Sequence, residues 1–157
     1  IENGFLGTGG ALKNAEHFID GKFVMLNGDT LMDIDLKKMN NLHEEKNAAG
    51  TIGLVQVKEV SSYGVARLEG DKITEFVEKP RPESAPSNWV NTGAYILEKN
   101  TIEMLPDEFN LIEKTLFPAL AESGKLYGFR HFGQWFPTDD LTRLKEAEIG
   151  WKTDKTL

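Results

Sequence analysis

Short apolar runs alternate with helix-like segments along the first half of the chain. Residues 23–26 are four apolar residues in succession, a pattern typical of a strand buried on both faces. Residues 51–57 form a second, mostly apolar run, and residues 11–18 and 36–46 have helical patterns, the second preceded by the N-cap candidate Asp35. The order helix, buried strand, helix, buried strand predicts a parallel α/β sheet.

The second half of the chain predicts a hairpin and further strands. Residues 65–68 and 72–77 read as two strands around a Gly-Asp turn, and residues 89–97 as a strand with a bulge or a close ligand approach at Gly93. Residues 126–132 form a last predicted strand.

Two helices are predicted towards the C-terminus. Asn110 and Glu113 have the spacing of a capping box, which predicts a helix from residue 111 that is kinked at Pro118. Thr138 or Asp139 is the predicted N-cap of a final helix over residues 141–149.

Composition limits the possible functions of the chain. Its 157 residues fit one domain over residues 1–157, and 39% hydrophobic with 27% charged residues indicates a globular chain. The net charge of −7 argues against nucleic acid or an anionic membrane as the main partner. The chain has no cysteine, which excludes disulfides and thiolate chemistry. No apolar run of membrane-spanning length and no signal peptide is visible, so we predict a cytoplasmic location.

Asp29 is the first candidate for chemistry. It follows the apolar run and the tight-turn pair Asn27-Gly28, at the sheet edge where ligands bind in open α/β folds. A carboxylate there suits Mg²⁺, which combines few protein oxygens with phosphate oxygens. Asn-Gly-Asp is equally typical of an ordinary turn, so both interpretations stay open.

Three other patterns have both a chemical and a structural interpretation. Glu78-Lys79-Pro80 ends the predicted hairpin and suits either hydroxyl and phosphate recognition or an exposed ion pair. The glycine-rich residues 4–10 suit either a ligand cradle before a helix or a flexible loop. Asp33 and Asp35 spell an Asp-x-Asp metal motif, although Asp35 is more typical of a helix N-cap.

Several stretches together resemble one family, the sugar-phosphate nucleotidylyltransferases. They are LGTGGAL (6–12), LNGD (26–29), YGV (63–65), FVEKP (76–80), NTG (91–93), IEK with FP (112–114 and 117–118), and G-x-W (133–135). The sequence is most similar to the mannose-1-phosphate guanylyltransferase and glucose-1-phosphate thymidylyltransferase branches. The resemblance implies a Rossmann-like open mixed sheet with flanking helices. It also implies the reaction of an NTP with a sugar 1-phosphate to give an NDP-sugar and pyrophosphate.

The resemblance also implies a role for particular residues. Asp29 would hold Mg²⁺ on the triphosphate, and Lys79, the second predicted catalytic residue, would pair with the sugar phosphate. Glu78 would accept hydrogen bonds from sugar hydroxyls. The nucleobase would be approached by Thr8, Gly9 and Gly10. Gly64 would pass close to the sugar, and the sugar pocket would be bordered by Asn91 and Thr92.

The sequence departs from the family pattern in two places. The family begins with a strand and the phosphate-binding loop GGxGTRLxPxTxxxPK, whereas this chain starts at Ile1 without them. We therefore expect an N-terminally truncated domain that is inactive alone. Its unpaired sheet edge is prone to pair with another chain, so a homo-oligomer stays open and the oligomeric state is not fixed by the sequence. Many members also have the motif Trp-x-Asp-Ile-Gly, whose Asp is a second metal ligand. In this chain Pro137 occupies the position of that Asp. Other members read Trp-x-Pro-x-Asp, which transfers the second metal-ligand role to Asp139, with Asp140 in reserve.

Two alternative functions remain open at this point. One is a nucleotide-sugar-dependent glycosyltransferase built on Asp33 and Asp35, and the other is a domain that senses nucleotide sugars without catalysis. The nucleobase and the sugar are not fixed by the sequence. The main hypothesis requires Asp29, Lys79 and Asp139 to face one cavity.

Overall fold

The computed structural model describes residues 4–153, which form a mixed sheet with helices packed against it. The strands are β1 (Phe23–Leu26), β2 (Thr30–Met32), β3 (Gly50–Gln56), β4 (Gly64–Glu69), β5 (Lys72–Glu78), β6 (Trp89–Leu97), β7 (Leu126–Arg130) and β8 (Trp135–Pro137). The α-helices are α1 (Gly7–Asn14), α2 (Leu36–Glu45), α3 (Leu116–Glu122) and α4 (Leu141–Gly150).

Six strands form the main sheet in the order β1-β6-β3-β7-β5-β4. Only β3 and β7 pair in parallel; the other pairings between described strands are antiparallel. The open mixed sheet is confirmed, and the parallel sheet predicted from strand and helix order is wrong. The order of elements did not show that β6 returns antiparallel between β1 and β3.

Strand β1 lies at the edge of the main sheet and pairs only with β6 among the described strands. Its residues alternate between half-buried and exposed, and Val24 and Leu26 are 49% and 52% exposed. The prediction that this run is buried on both faces is therefore wrong.

The helices bury the apolar faces of the sheet. Helix α3 packs on β5 and β7, and its Phe117 ring lies 5.2 Å from the Phe76 ring and 5.3 Å from the Tyr95 ring, both on the sheet. Helix α2 packs against β3, β6 and β7. Burial of these large side chains is the main source of stability for such a domain. No helix among residues 4–153 is long and apolar enough to cross a membrane.

Helix ends agree with the sequence in part. Asp35 caps α2 by accepting the backbone N–H of Lys38 at 2.9 Å, as predicted. Helix α4 matches the predicted final helix, but its N-cap is Asp140 and neither Thr138 nor Asp139. The first helix starts earlier than predicted, at Gly7, and a 3₁₀ turn follows it (Glu16–Phe18).

The predicted capping box at Asn110 and Glu113 is wrong. The side chain of Glu113 accepts a hydrogen bond from Thr8 Oγ1 at 2.8 Å, and helix α3 begins only at Leu116. Pro118 lies in the first turn of α3, where a missing N–H costs no intrahelical hydrogen bond, so it does not kink the helix.

Two strand features position the candidate site. The hairpin β4–β5 is confirmed, and its register places Gly64 opposite Glu78. The predicted bulge in β6 is also confirmed, because the pairing with β3 shifts between Ile52 and Leu54, opposite Gly93. A small second sheet of β2 and β8, which was not predicted, pairs Thr30 with Pro137.

Candidate active site

The ends of several strands surround a cavity of about 220 Å³. Its wall combines the turn after β1, the end of the hairpin, the bulge in β6 and the segment that follows β8. Its lining residues are Asn27, Asp29, Thr30, Ser62, Tyr63, Gly64, Glu78, Lys79, Asn91, Thr92, Gly93, Glu113, Trp135, Pro137, Asp139 and Arg143. The three groups required by the main hypothesis, Asp29, Lys79 and Asp139, therefore line one cavity.

The small β2–β8 sheet brings Asp29 and Asp139 together. The backbone N–H of Thr138 donates to the carbonyl oxygen of Asp29 at 2.7 Å, which extends the ladder by one step beyond Thr30 and Pro137. Asp29 thus lies opposite Thr138, and Asp139 is the next residue. Two exposed carboxylates on neighbouring segments supply hard oxygen donors, which suit Mg²⁺ when phosphate oxygens complete its shell.

The hairpin end presents Glu78 and Lys79 to the cavity. Gly64 faces Glu78, and a Cβ on Gly64 would overlap the Phe76 ring and lie 2.9 Å from Glu78 Oε2. Burial, and then the nearby charge of Glu113, raise the pKa of Glu78. Since a carboxyl with a raised pKa is poorly solvated, it gains from hydroxyl donors on a ligand.

Lys79 has a φ of +47°, in the left-handed region. Its backbone N–H donates to the carbonyl oxygen of Tyr63 at 3.0 Å, and the next residue is the buried Pro80. The turned backbone leaves the Lys79 side chain exposed at the cavity wall, where its ammonium group can receive an anion.

The bulge in β6 forms the inner wall of the cavity. Asn91 donates from its amide to Tyr95 Oη at 2.8 Å and accepts from the Gly93 N–H at 2.9 Å. Thr92 is 1% exposed and donates its hydroxyl to the Gly53 carbonyl oxygen at 3.0 Å. Trp135 Nε1 donates to the Thr92 carbonyl oxygen at 3.0 Å. The side chains of Asn91 and Thr92 are thus held by hydrogen bonds inside the protein.

Asp139 and Asp140 have different surroundings. Asp140 accepts the backbone N–H groups of Thr142 and Arg143 at 2.8 and 2.9 Å, so it caps α4 and is absent from the described cavity lining. Asp139 lines the cavity, and hydrogen bonds from the Arg143 guanidinium lower its pKa. The position therefore favours Asp139 over Asp140 as a ligand.

The predicted nucleobase contacts lie outside this cavity. Gly9 and Gly10 are buried in α1, and a Cβ on Gly9 would overlap Asn110 Oδ1. Thr8 donates to Glu113 Oε2 at 2.8 Å and accepts the Ile112 N–H at 3.1 Å. These glycines have a clear packing role, and their contact with a nucleobase stays a prediction.

Asp33 and Asp35 lie beside a second cavity rather than the first. Asp33 accepts the Gln134 N–H at 2.7 Å and lies 3.1 Å from His131 Nε2, while Asp35 caps α2. Within residues 4–153, no group of three or more His, Cys, Asp or Glu side chains could hold a metal ion. Since Asp33 and Asp35 each accept a hydrogen bond from a backbone N–H group, the structural interpretation of the Asp-x-Asp pattern is favoured.

Tyr63, Glu113 and Arg143 are among the lining residues that had no predicted ligand contact in the sequence analysis. Tyr63 and Glu113 lie within two of the motifs, so the motifs contained a signal for them. Arg143 follows the last motif and had no signal at all. With Arg143 and Lys79 as its cations and Asp29, Glu78, Glu113 and Asp139 as its carboxylates, the cavity lining is net acidic when all are ionised. An anionic phosphate would need a metal cation as well.

Comparisons with known proteins agree with this architecture. A family model described as nucleotidyl transferase matches residues 1–151. A mannose-1-phosphate guanyltransferase of Candida albicans is 38% identical over 141 residues, which cover 86% of this chain and 38% of that protein. A UTP–glucose-1-phosphate uridylyltransferase of Synechocystis is 43% identical over 127 residues, which cover 76% of this chain and 32% of that protein.

A solved structure is similar over almost the whole chain. HddC from Yersinia pseudotuberculosis, complexed with GMP-PN, has a TM-score of 0.75 and 30% identity, covering 97% of this chain and 65% of its own. The chain thus spans well under half of the two curated relatives and less than two thirds of this structure.

Proposed function

Since the chain belongs to the nucleotidyl transferase family, we propose that its cavity serves transfer of a nucleotidyl group from an NTP to a sugar 1-phosphate. The products are an NDP-sugar and pyrophosphate. The observation that carries this proposal is the meeting of Asp29, Lys79 and Asp139 in one cavity. The names of the relatives, which act on mannose 1-phosphate and glucose 1-phosphate, support the same class of substrate.

The hairpin end receives the sugar 1-phosphate in this proposal. The Lys79 ammonium pairs with the phosphate, and the half-buried Glu78 carboxylate accepts hydrogen bonds from sugar hydroxyls. Gly64 allows the sugar close to the backbone, and Asn91 and Thr92 form the adjoining wall. Because the side chains of Asn91 and Thr92 already have partners, we assign them the shape of the pocket and not its polar contacts.

Asp29 and Asp139 hold a Mg²⁺ ion in this proposal. The two exposed carboxylates fit a hard cation that keeps water and phosphate oxygens in its shell. When bound, the metal supplies positive charge for the phosphates and orients them. Asp29 and Asp139 would hold it in the cavity that Lys79 also lines.

The reaction depends mainly on alignment. A phosphate oxygen of the sugar 1-phosphate attacks the α-phosphorus of the NTP, a new P–O bond forms, and the α–β anhydride bond breaks to release pyrophosphate. Such a step needs positioning and stabilised charge more than covalent help. Lys79 holds the attacking phosphate, and Glu78 orients the sugar that carries it. Thr8, Gly9 and Gly10 stay the predicted nucleobase contacts.

NTPs and sugar phosphates are cytoplasmic metabolites, so we place the reaction in the cytoplasm.

Calorimetric titration of the 157-residue chain with glucose 1-phosphate, mannose 1-phosphate and inorganic phosphate, with Mg²⁺ present, tests the proposal. We expect Lys79→Gln to weaken binding of all three ligands, roughly tenfold or more, because a charge-assisted contact is lost. Glu78→Gln should weaken only the two sugar phosphates. Lys37→Gln, which changes an exposed lysine on α2, is the matched control.

Binding that is unchanged in Lys79→Gln would overturn the proposed site. The Gly-rich signature of the family does not occur in the 157 residues, and we therefore expect the chain alone to release no pyrophosphate from NTP and sugar 1-phosphate. Steady pyrophosphate release would contradict that expectation. A sensing domain would bind NDP-sugar tightly and bind the sugar 1-phosphate poorly.

A further inference from the structure

Arg143 pairs with the proposed metal ligand Asp139. Its Nη1 lies 2.9 Å from Asp139 Oδ1 and 3.1 Å from Oδ2, so one guanidinium nitrogen donates to both carboxylate oxygens. Arg143 lies in the first turn of α4, its side chain is 30% exposed, and it lines the same cavity as Asp29 and Lys79.

The Arg143 guanidinium is held from a second side by an aromatic ring. Its central carbon lies 5.8 Å from the centroid of the Tyr63 ring, and the Tyr63 ring packs edge-on against Trp135 at 5.3 Å. A cation over a tyrosine face is attracted to it, so Arg143 has a second binding surface when it leaves the carboxylate.

A divalent cation and Arg143 compete for Asp139. A metal ion on this carboxylate would stand next to a guanidinium only a hydrogen bond away, and like charges at that distance repel each other. The Arg143 charge is therefore favourable in the metal-free cavity and unfavourable once a metal is bound to Asp139. A phosphate in the cavity makes the Arg143 charge favourable again, because guanidinium groups bind phosphate through two parallel hydrogen bonds.

We propose that Asp139 exchanges partners, from Arg143 in the free chain to a divalent cation in the loaded site, and that the released Arg143 binds the phosphate of the sugar 1-phosphate. This inference rests on the proposed function. Arg143 and Lys79 are the two cations among the described cavity residues, so a phosphate paired with Lys79 would lie in the same cavity as Arg143. The residue links metal loading to substrate affinity without ligating the metal itself.

Two binding measurements on the 157-residue chain and its Arg143→Gln variant test the exchange. The first is Mn²⁺ affinity in the absence of phosphate, by electron paramagnetic resonance. The second is glucose 1-phosphate affinity at saturating Mn²⁺, by calorimetry. We expect Arg143→Gln to bind Mn²⁺ about threefold or more tightly, because a competing positive charge is gone. We expect it to bind glucose 1-phosphate roughly fivefold or more weakly, since a charged phosphate contact is lost.

Two further variants keep the result interpretable. Arg143→Lys retains the charge but loses the guanidinium fork, so it should leave Mn²⁺ affinity within about twofold and weaken glucose 1-phosphate binding. Arg67→Gln removes another arginine that pairs with a carboxylate, Glu75 at 2.8 Å, outside the cavity, and should change neither affinity.

The direction of the two changes decides the outcome. Opposite changes in Mn²⁺ and glucose 1-phosphate affinity support the exchange. Two results overturn the exchange while leaving the proposed function intact. One is that Mn²⁺ and glucose 1-phosphate affinity change in the same direction in Arg143→Gln. The other is that either affinity is unchanged in Arg143→Gln, or that glucose 1-phosphate affinity is unchanged in Arg143→Lys. Wild-type chain that binds neither Mn²⁺ nor glucose 1-phosphate overturns the proposed function and, with it, this inference.

Discussion

Lys79 has a backbone conformation that residues with a side chain seldom adopt. Its φ of +47° places it in the left-handed region, and the following Pro80 restricts its backbone further. Such conformations persist only where the surrounding structure imposes them, and they cluster at functional sites. Here the hydrogen bond from the Lys79 N–H to the Tyr63 carbonyl oxygen fixes the turn that aims the side chain.

The strain at Lys79 predicts that two truncations differ in stability. Lys79→Gly removes the steric cost of the left-handed conformation and Lys79→Ala keeps it, so we expect Lys79→Gly to be more stable by roughly 0.5–1 kcal/mol. Both variants lose the ammonium group and should bind glucose 1-phosphate equally poorly. Urea unfolding measures the first difference and calorimetry the second.

Asn47, just after α2, provides the reference for this comparison. It has a φ of +48° and is not among the described cavity-lining residues, so Asn47→Gly and Asn47→Ala should show a stability difference of the same sign without any change in ligand binding. Equal stability of Lys79→Gly and Lys79→Ala, beside a clear difference at Asn47, would show that Lys79 is not strained.

At the scale of elements, local signals predicted best where one local interaction decides the structure. The turn at Gly70-Asp71 fixed the β4–β5 hairpin, and the Asp35 cap fixed the start of α2. Predictions failed where a distant segment decides. The four apolar residues of β1 do not indicate that β1 is an edge strand paired with β6 alone among the described strands. The capping box failed because the Glu113 carboxylate accepts a hydrogen bond from Thr8, over a hundred residues earlier in the chain.

Helix α1 provides a direct test of packing against ligand contact at Gly9. A Cβ there would overlap Asn110 Oδ1, and Asn110 cannot easily move because its amide donates to the carbonyl oxygens of Pro106 and Glu108 at 3.2 and 3.0 Å. We expect Gly9→Ala to lower the free energy of unfolding by about 1–3 kcal/mol despite the better helix propensity of alanine. Urea unfolding checks the value.

A double variant separates the clash from other effects. In Gly9→Ala with Asn110→Ala the overlapping group is gone, so the combined loss should be smaller than the sum of the single losses. Gly28→Ala, where a Cβ meets nothing within 4 Å, is the control for a plain Gly-to-Ala change. Gly9→Ala that keeps full stability but loses nucleotide binding would instead support the predicted nucleobase role.

At the scale of the whole molecule, the site was predictable to the extent that strand ends determine it. Asp29, Glu78 and Lys79 each follow or end a strand, and strand ends that meet at one edge bring such residues together. Asp139 was placed by resemblance alone, and the β2–β8 pairing that positions it had no pattern in the sequence. Arg143 was missed since its role comes from contacts with Asp139 and Tyr63, which no local spacing indicates.

His43 joins three parts of the molecule and makes global stability depend on pH. It is 1% exposed on α2; its Nδ1 lies 2.8 Å from Thr51 Oγ1 on β3, and its Nε2 lies 3.2 Å from Glu98 Oε1 after β6. Burial lowers the pKa of His43 below its ordinary value of 6.5, and this outweighs the opposing effect of Glu98. The folded protein therefore holds the imidazole neutral at a pH where the unfolded chain already binds a proton.

The sign of the effect follows from this difference in proton binding. Well above pH 6.5 neither the folded nor the unfolded state is protonated at His43, and stability is unaffected. As the pH falls through 6.5 towards the folded pKa, the unfolded state gains protons and stability is lost. Each unit between the two pKa values corresponds to about 1.4 kcal/mol. Carboxyls with a lowered pKa, such as Asp35 and Asp139, lose their contribution only at lower pH, near their ordinary pKa of 3.8. Glu78, whose pKa is raised, acts with the opposite sign, because its protonation on acidification favours the folded state, so the comparison with His43→Gln is what isolates His43. Urea unfolding between pH 7.5 and 5 should show a declining free energy of unfolding in the wild type and a flatter profile in His43→Gln.

His17→Gln, which changes an exposed histidine, is the control and should keep the wild-type decline. If His43→Gln declines as steeply as the wild type, another group causes the pH dependence.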